Sequence, residues 1–233
     1  MKRGSLYFAG MVGIMFSVAI LVQGLVLNDG MAIKRVPTTH KVVALTLDDG
    51  PHCKTTPQIL KVLKEKNVKV TFFVLGEHAV DHPEIVAQEV ADGHEVASHT
   101  HSHKFLSKLS KKEIDEEFDK SEKAIIAATA PKPNLFRPPG GAYNDAIVAA
   151  AQQRGYSTIL WSVDPGDWRN PSVASVVDNI MSHVQPGGIV LLHDGQYPLP
   201  TAEALGIVID KLREQGYSIV TVSELLQYYE VRN

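Results

Sequence analysis

The sequence predicts an α/β fold: one domain of successive strand and helix units with a largely parallel sheet. Three observations carry this. From Lys41 onward, short apolar runs alternate with amphipathic helical patterns. The first run, Val42 to Leu47, is almost continuously apolar, as a parallel strand covered on both faces must be. Polar, chemistry-bearing residues then sit directly after five of the runs. Seven strands can be counted, which favours a barrel with fewer than eight βα units over a six-strand open sheet.

The elements follow in order. Lys2 and Arg3 precede an uncharged stretch from Gly4 to Asn28, long enough to cross about 30 Å of hydrocarbon as a helix. Residues 1–28 therefore read as a hydrophobic anchor at the cell membrane, with the remainder outside the cytoplasm. The alternative is a secreted protein whose signal peptide is cleaved near Val22-Gln23-Gly24. Residues 29–39 read as a short linker and 40–233 as one compact domain. After the Val42–Leu47 strand, Thr56-Pro57 supplies an N-cap and N1 pair for a helix to about Lys66. Strands are expected at Val68–Leu75 and Glu95–Ser98. Ser110 and Glu113 form a capping-box pattern that opens a charged helix to about Ala128. Pro131 to Asn134 is a loop, followed by strands at Leu135–Phe136 and Ser157–Ser162. Asn170-Pro171 opens a helix that ends before Pro186-Gly187-Gly188, and strands at Gly188–Leu192 and Ser218–Val220 complete the set.

Composition narrows the partners. With 44% hydrophobic residues, 21% charged and a net charge of -3, the chain is an ordinary globular protein with no Lys/Arg block, so no nucleic-acid partner is expected. The single Cys53 excludes an intramolecular disulfide and reads as a small buried filler. Thiolate chemistry would need an activating base, for which His52 is adjacent.

The chemistry gathers after the strands. Asp48-Asp49-Gly50-Pro51 follows the first, and Ser98-His99-Thr100-His101-Ser102-His103 follows the third. Arg137-Pro138-Pro139-Gly140-Gly141 follows the fourth, Asp164 to Trp168 the fifth, and His193-Asp194 ends the sixth. Each has a bland reading as turn chemistry or surface decoration. Their common placement at carboxyl ends, where parallel α/β folds collect their sites, makes the functional reading the stronger one. His99 and His103, four apart, can converge on one ion, with a carboxylate from the Asp-Asp turn as a third ligand.

These five motifs, in this order, resemble those of the NodB-type polysaccharide deacetylases, carbohydrate esterase family four, over about Val42 to Leu226. Three positions depart from the usual pattern: Leu47 and His101 stand where an aromatic and Tyr are common, and Gly140 where many relatives carry Tyr. The resemblance implies a distorted seven-unit (β/α) barrel and a divalent metal, most simply zinc, held by Asp49, His99 and His103. Two His and a carboxylate also serve non-haem iron, and the flanking acid-base groups favour hydrolysis. It further implies Asp48 as the base that deprotonates the attacking water, with Arg137 holding it charged and oriented. His193 is the acid that protonates the leaving amine, supported by Asp167, with Asp164 the less favoured support. The Gly140 N–H is implied as an oxyanion donor, and Trp168 and Leu191 as the pocket for the acetyl methyl, with a core Trp as the alternative. For both Asp48 and Asp49 to reach one site, the strand must end between them.

The expected protein is thus an exported, monomeric, metal-dependent hydrolase that removes N-linked acetyl groups from an N-acetylated glycan such as peptidoglycan or chitin-like chains. Two further readings stay open at this level: an O-acetyl esterase or cyclic amide hydrolase using the same site, and a non-catalytic glycan-binding wall protein. Of the four clustered histidines, only His99 and His103 are expected on the metal. His101 is expected near the cleft, and His94 at the far end of its strand.

Overall fold

The computed structural model describes residues 32–128 and 131–230. The expected anchor lies outside these residues; among them, no helix is long and apolar enough to cross a membrane. The elements run β1 (Val42–Asp48), α1 (Thr55–Lys66), β2 (Thr71–Val74), α2 (Gly76–Asp81), α3 (Pro83–Ala91), β3 (Glu95–Ser98), α4 (Lys111–Ala127) and β4 (Leu135–Phe136). They continue with α5 (Asp145–Gln153), β5 (Ser157–Thr158), α6 (Val173–His183), β6 (Gly188–His193), α7 (Thr201–Glu214), β7 (Ser218–Val220) and α8 (Val222–Leu225). All strand pairs are parallel, in the order β5-β4-β3-β2-β1-β6, with β7 also on β1. The result is an α/β fold whose parallel strands curl into a half-barrel.

Strand β1 shows how the residues divide. Its odd positions, Val43, Leu45 and Leu47, join Val190 and Leu192 of β6 in the main core beneath the helices. Successive side chains alternate, so Ala44, Thr46 and Asp48 face the inside of the curl. Fully burying each Val, Leu or Ile contributes about 1.5–3 kcal/mol, which makes the outer layer the main source of stability. A second cluster, Leu106, Phe118, Phe136, Ile147, Ala151 and Tyr156, seals α4 and α5 against β4.

Two strands are shorter than expected, each for a packing reason. Strand β2 begins at Thr71 and not Val68, because the amino-terminal half of β1 pairs with β7 through Val42–Ala44, leaving Thr46–Asp48 for β2. Strand β5 ends at Thr158 and not Ser162. The chain there leaves β4, accepts Arg137 on the carbonyls of Ile159 and Leu160, and meets β6 through a bridge from Val163 to Val190. The segment expected as a linker is held to the sheet from its described start, through Ile33 on Ile159 and Arg35 on Gly188, with Val36 and Thr38 buried.

Helix signals hold where they are local. Ser110 and Glu113 form the reciprocal capping box of α4. Thr56, expected as an N-cap, instead lies inside the first turn of α1, because its hydroxyl donates to the buried Asp194 carboxylate at 2.6 Å. The cap of α6 is Ser172, two residues beyond Asn170, which closes a preceding short turn in left-handed conformation. Cys53 is exposed and not a core filler: Thr55 and Thr56 take the inward positions. His52 Nδ1 accepts from the N–H groups of Lys54 and Thr55, so it is not a base for the thiol.

Candidate active site

The site lies at the carboxyl ends of the strands. Strand β1 ends at Asp48, and Asp49 takes φ +72, a conformation uncommon outside glycine. This break lets two consecutive carboxylates face one point. The tight fit continues behind the turn, where a Cβ on Gly50 would lie 2.2 Å from the Asp194 carboxylate. After β3, Thr100 and His103 also hold positive φ, at +68 and +54. Such strain persists only where surroundings enforce it. Here Glu117 of α4 does so, accepting from the N–H groups of His101 and Ser102 and from the Ser102 hydroxyl.

Asp49, His99 and His103 come together, with one potential ligand atom from each within 4.8 Å of the others. The Nε2 atoms of His99 and His103 lie 3.3 and 3.4 Å from Asp49 Oδ1, which is buried and has no hydrogen-bond partner. His99 Nδ1 faces the Arg137 carbonyl at 2.8 Å, so its proton sits there and the Nε2 lone pair turns inward. His78 Nδ1 donates to the Asp49 carbonyl at 2.7 Å and steadies the turn. An orphaned carboxylate oxygen beside two inward nitrogens fits a divalent ion. Burial pushes the Asp49 carboxyl up, but His99, His193 and His103 hold it well below the usual carboxylate range. Burial also lowers the His103 imidazole, aided by His99.

Two charged pairs flank this triad. Arg137, fully buried, donates through Nη1 to Asp48 Oδ1 at 2.5 Å and to Thr46 Oγ1 at 2.8 Å, and through Nη2 to the Leu160 carbonyl at 3.1 Å. Its guanidinium lies 3.9 Å from the centroid of the Phe73 ring. Asp48 Oδ2 remains, 3.8 Å from His99 Nε2. On the adjacent strand, where Asp48 and His193 are register partners, His193 Nδ1 donates to Asp167 Oδ1 at 2.8 Å. Asp167 Oδ2 accepts from the His193 N–H and from Thr201 Oγ1. Burial depresses the His193 imidazole, but Asp167 outweighs it and pushes the group up to about 9.

The other expected residues divide. Asp164 is exposed and caps its own turn on the Gly166 N–H, leaving Asp167 as the partner of His193. Trp168 is 44% exposed and Arg169 stacks on it, so it is not a core residue; Leu191 is buried in β6 on the same face as His193. Gly140 holds φ +60. His101 turns away from the triad, with its Nδ1 packed over Gly76. His94 is buried at the start of β3, where burial lowers it to about 4. Sequence reading missed Thr46, His78, Glu117 and Thr201. Thr46 carried a weak signal as a polar residue inside an apolar strand, and the others carried none.

The polysaccharide deacetylase family model matches residues 35–159. The chain is 40% identical over 202 residues to a peptidoglycan-N-acetylglucosamine deacetylase of Bacillus cereus, covering 85% of this chain and 94% of that protein. It is 36% identical over 199 residues to a chitooligosaccharide deacetylase of Sinorhizobium fredii, covering 80% and 93%. Among solved structures, a peptidoglycan N-acetylglucosamine deacetylase superposes with TM-score 0.82 at 33% identity, covering 86% of this chain and 95% of that one. A family-four esterase pseudoenzyme from Bacillus anthracis superposes equally well, at 34% identity, covering 87% and 71%. The chain belongs to the NodB-type polysaccharide deacetylases, the family-four carbohydrate esterases, a family of metal-dependent hydrolases.

Proposed function

We propose that this chain is an exported N-deacetylase that hydrolyses the acetamido group of N-acetylated sugars in peptidoglycan or a chitin-like glycan. It works as a monomer with zinc at Asp49, His99 and His103, and is anchored to the cell membrane by residues 1–28. The carrying observation is one site that joins the Asp49–His99–His103 cluster to a buried Arg137–Asp48 pair and a His193–Asp167 pair. The relatives named above support the glycan, and four exposed aromatics on the loops after β3, β4, β5 and β6, Phe105, Tyr143, Trp168 and Tyr197, suit sugar rings. We also read the curled sheet as a distorted seven-unit barrel, supported by the bridge from Val163 to β6.

A divalent ion held there would supply Lewis acidity and lower the pKa of a water at that point. Asp48 takes the water's proton on Oδ2, the oxygen not paired with Arg137. The Gly140 N–H donates to the carbonyl oxygen as negative charge develops on it. His193, held protonated by Asp167, gives its Nε2 proton to the leaving amine. Trp168 and Leu191 border the acetyl methyl. The test is acetate release from N-acetylglucosamine oligomers and from peptidoglycan with zinc supplied; no release from either sinks the proposal.

A further inference from the structure

Phe105 occupies a position whose consequence extends beyond the reacting groups. It follows the ligand residue His103 by two positions, and its ring lies edge-on to that imidazole with centroids 6.5 Å apart. On its other side it touches Gly140: a Cβ built there would lie 2.8 Å from Phe105 Cε1 and 3.3 Å from Cζ. Gly140 also holds φ +60, where a side chain is strained by the backbone, and one placed there would displace the Phe105 ring. The Phe105 ring thus spans the distance from a metal ligand to the residue offered as oxyanion donor. It is steadied by Lys108, whose N–H donates to the Phe105 carbonyl and whose Nζ lies 5.3 Å over the ring. Yet 43% of the residue is open to solvent, far more than a core Phe leaves.

We infer that Phe105 is a specificity-determining residue, the wall against which the sugar bearing the acyl group packs. This rests on the glycan reading above. A substrate whose carbonyl oxygen meets the Gly140 N–H, and whose carbonyl carbon sits beside His103, carries the rest of its body past two residues that both touch Phe105. A pyranose presents apolar C–H faces, and an aromatic ring held in place is the side chain that meets them without an unsatisfied polar group. Gly140 leaves the space that Phe105 fills.

The experiment pairs titration calorimetry of the zinc-loaded chain against an N-acetylglucosamine tetramer with initial-rate kinetics. Phe105→Ala is expected to raise Kd and KM about tenfold with kcat changed less than about twofold, the signature of lost uniform binding. Phe105→Tyr should stay within about twofold of the parent, and Phe105→Leu should behave like the Ala variant. Unchanged Kd in Phe105→Ala, or full recovery by Leu, overturns the inference. If the parent chain binds the tetramer but releases no acetate, the deacetylase reading falls while the calorimetry still decides the role of Phe105. If the parent neither binds nor cleaves it, both fall. Melting temperature and zinc affinity of each variant separate a lost wall from a lost fold.

Discussion

The two charged pairs beside the histidine cluster are built for different work. Arg137–Asp48 is sealed: the guanidinium is wholly buried, stacked on Phe73 and divided among a carboxylate, a threonine and two backbone carbonyls. His193–Asp167 is half open, with the Asp167 carboxylate buried and the His193 side chain 13% exposed. In the first pair the guanidinium fixes Asp48 in place and favours its charged form, so Oδ2, the oxygen it leaves unpaired, is the one that can receive a proton. The second holds its proton on an imidazole that is partly open, so it is the pair suited to give one to a substrate. One fold supplies both by setting them on adjacent strands, Asp48 opposite His193.

The sharpest way to break this contrast is at Arg137. Arg137→Met leaves Asp48 buried without its partner and frees two carbonyls, so stability should fall by about 3–5 kcal/mol in denaturant unfolding, with activity lost. Arg137→Lys should not restore it, because a compact ammonium with three N–H donors cannot reach the four acceptors that the planar guanidinium spans. If the lysine variant is as stable as the parent, the sealed pair is not the structural element described.

On the other side the damage should be chemical. His193→Ala should lower kcat about 10²–10⁴-fold while zinc affinity by calorimetry stays unchanged. His103→Ala should lose both, and equal zinc loss in the two variants would contradict the assignment of ligands.

Asp167→Asn probes the proton itself. Because Asp167 raises His193 to about 9, the pH profile of kcat/KM should decline on the alkaline side near that value, and in the variant the decline should move toward the ordinary imidazole range. Because the folded value of His193 lies above the unfolded one, the stabilisation is complete below about pH 6.5 and is lost as pH rises through about 9. It amounts to about 3 kcal/mol. Unfolding measured at pH 6 and pH 9.5 in both proteins checks it. The smallest effect is expected from Thr201→Val, which removes one hydrogen bond to Asp167 and should cost about 1 kcal/mol with a slight alkaline shift of the same limb, since the carboxylate loses a donor that competes with His193.

Much of this site is legible because motif residues and strand ends coincide. Asp48, Asp49, His99, His103, Arg137, Asp167 and His193 each follow or end an apolar run, and each lies at the expected end of the sheet. The supporting groups are not legible. Glu117 sits in a charged helix among many carboxylates, and only packing turns it toward the histidine loop. The fate of Thr56 follows from a carboxylate far along the chain. Strand β5 shortens because two carbonyls serve Arg137 instead of a ladder.

The sequence alone determined the βα order, the positions of the turns and the identity of the candidate site side chains, since periodicity, caps and residue chemistry are local. Tertiary structure decided the rest. It set which strand shares β1 with β7, which of two aspartates meets His193, and how the left-handed turns at Asp49 and His103 bring potential ligand atoms together. It also set which aromatic ring fills the space over Gly140. Those outcomes depend on contacts between residues distant in sequence, where packing and buried hydrogen bonds outweigh local preference.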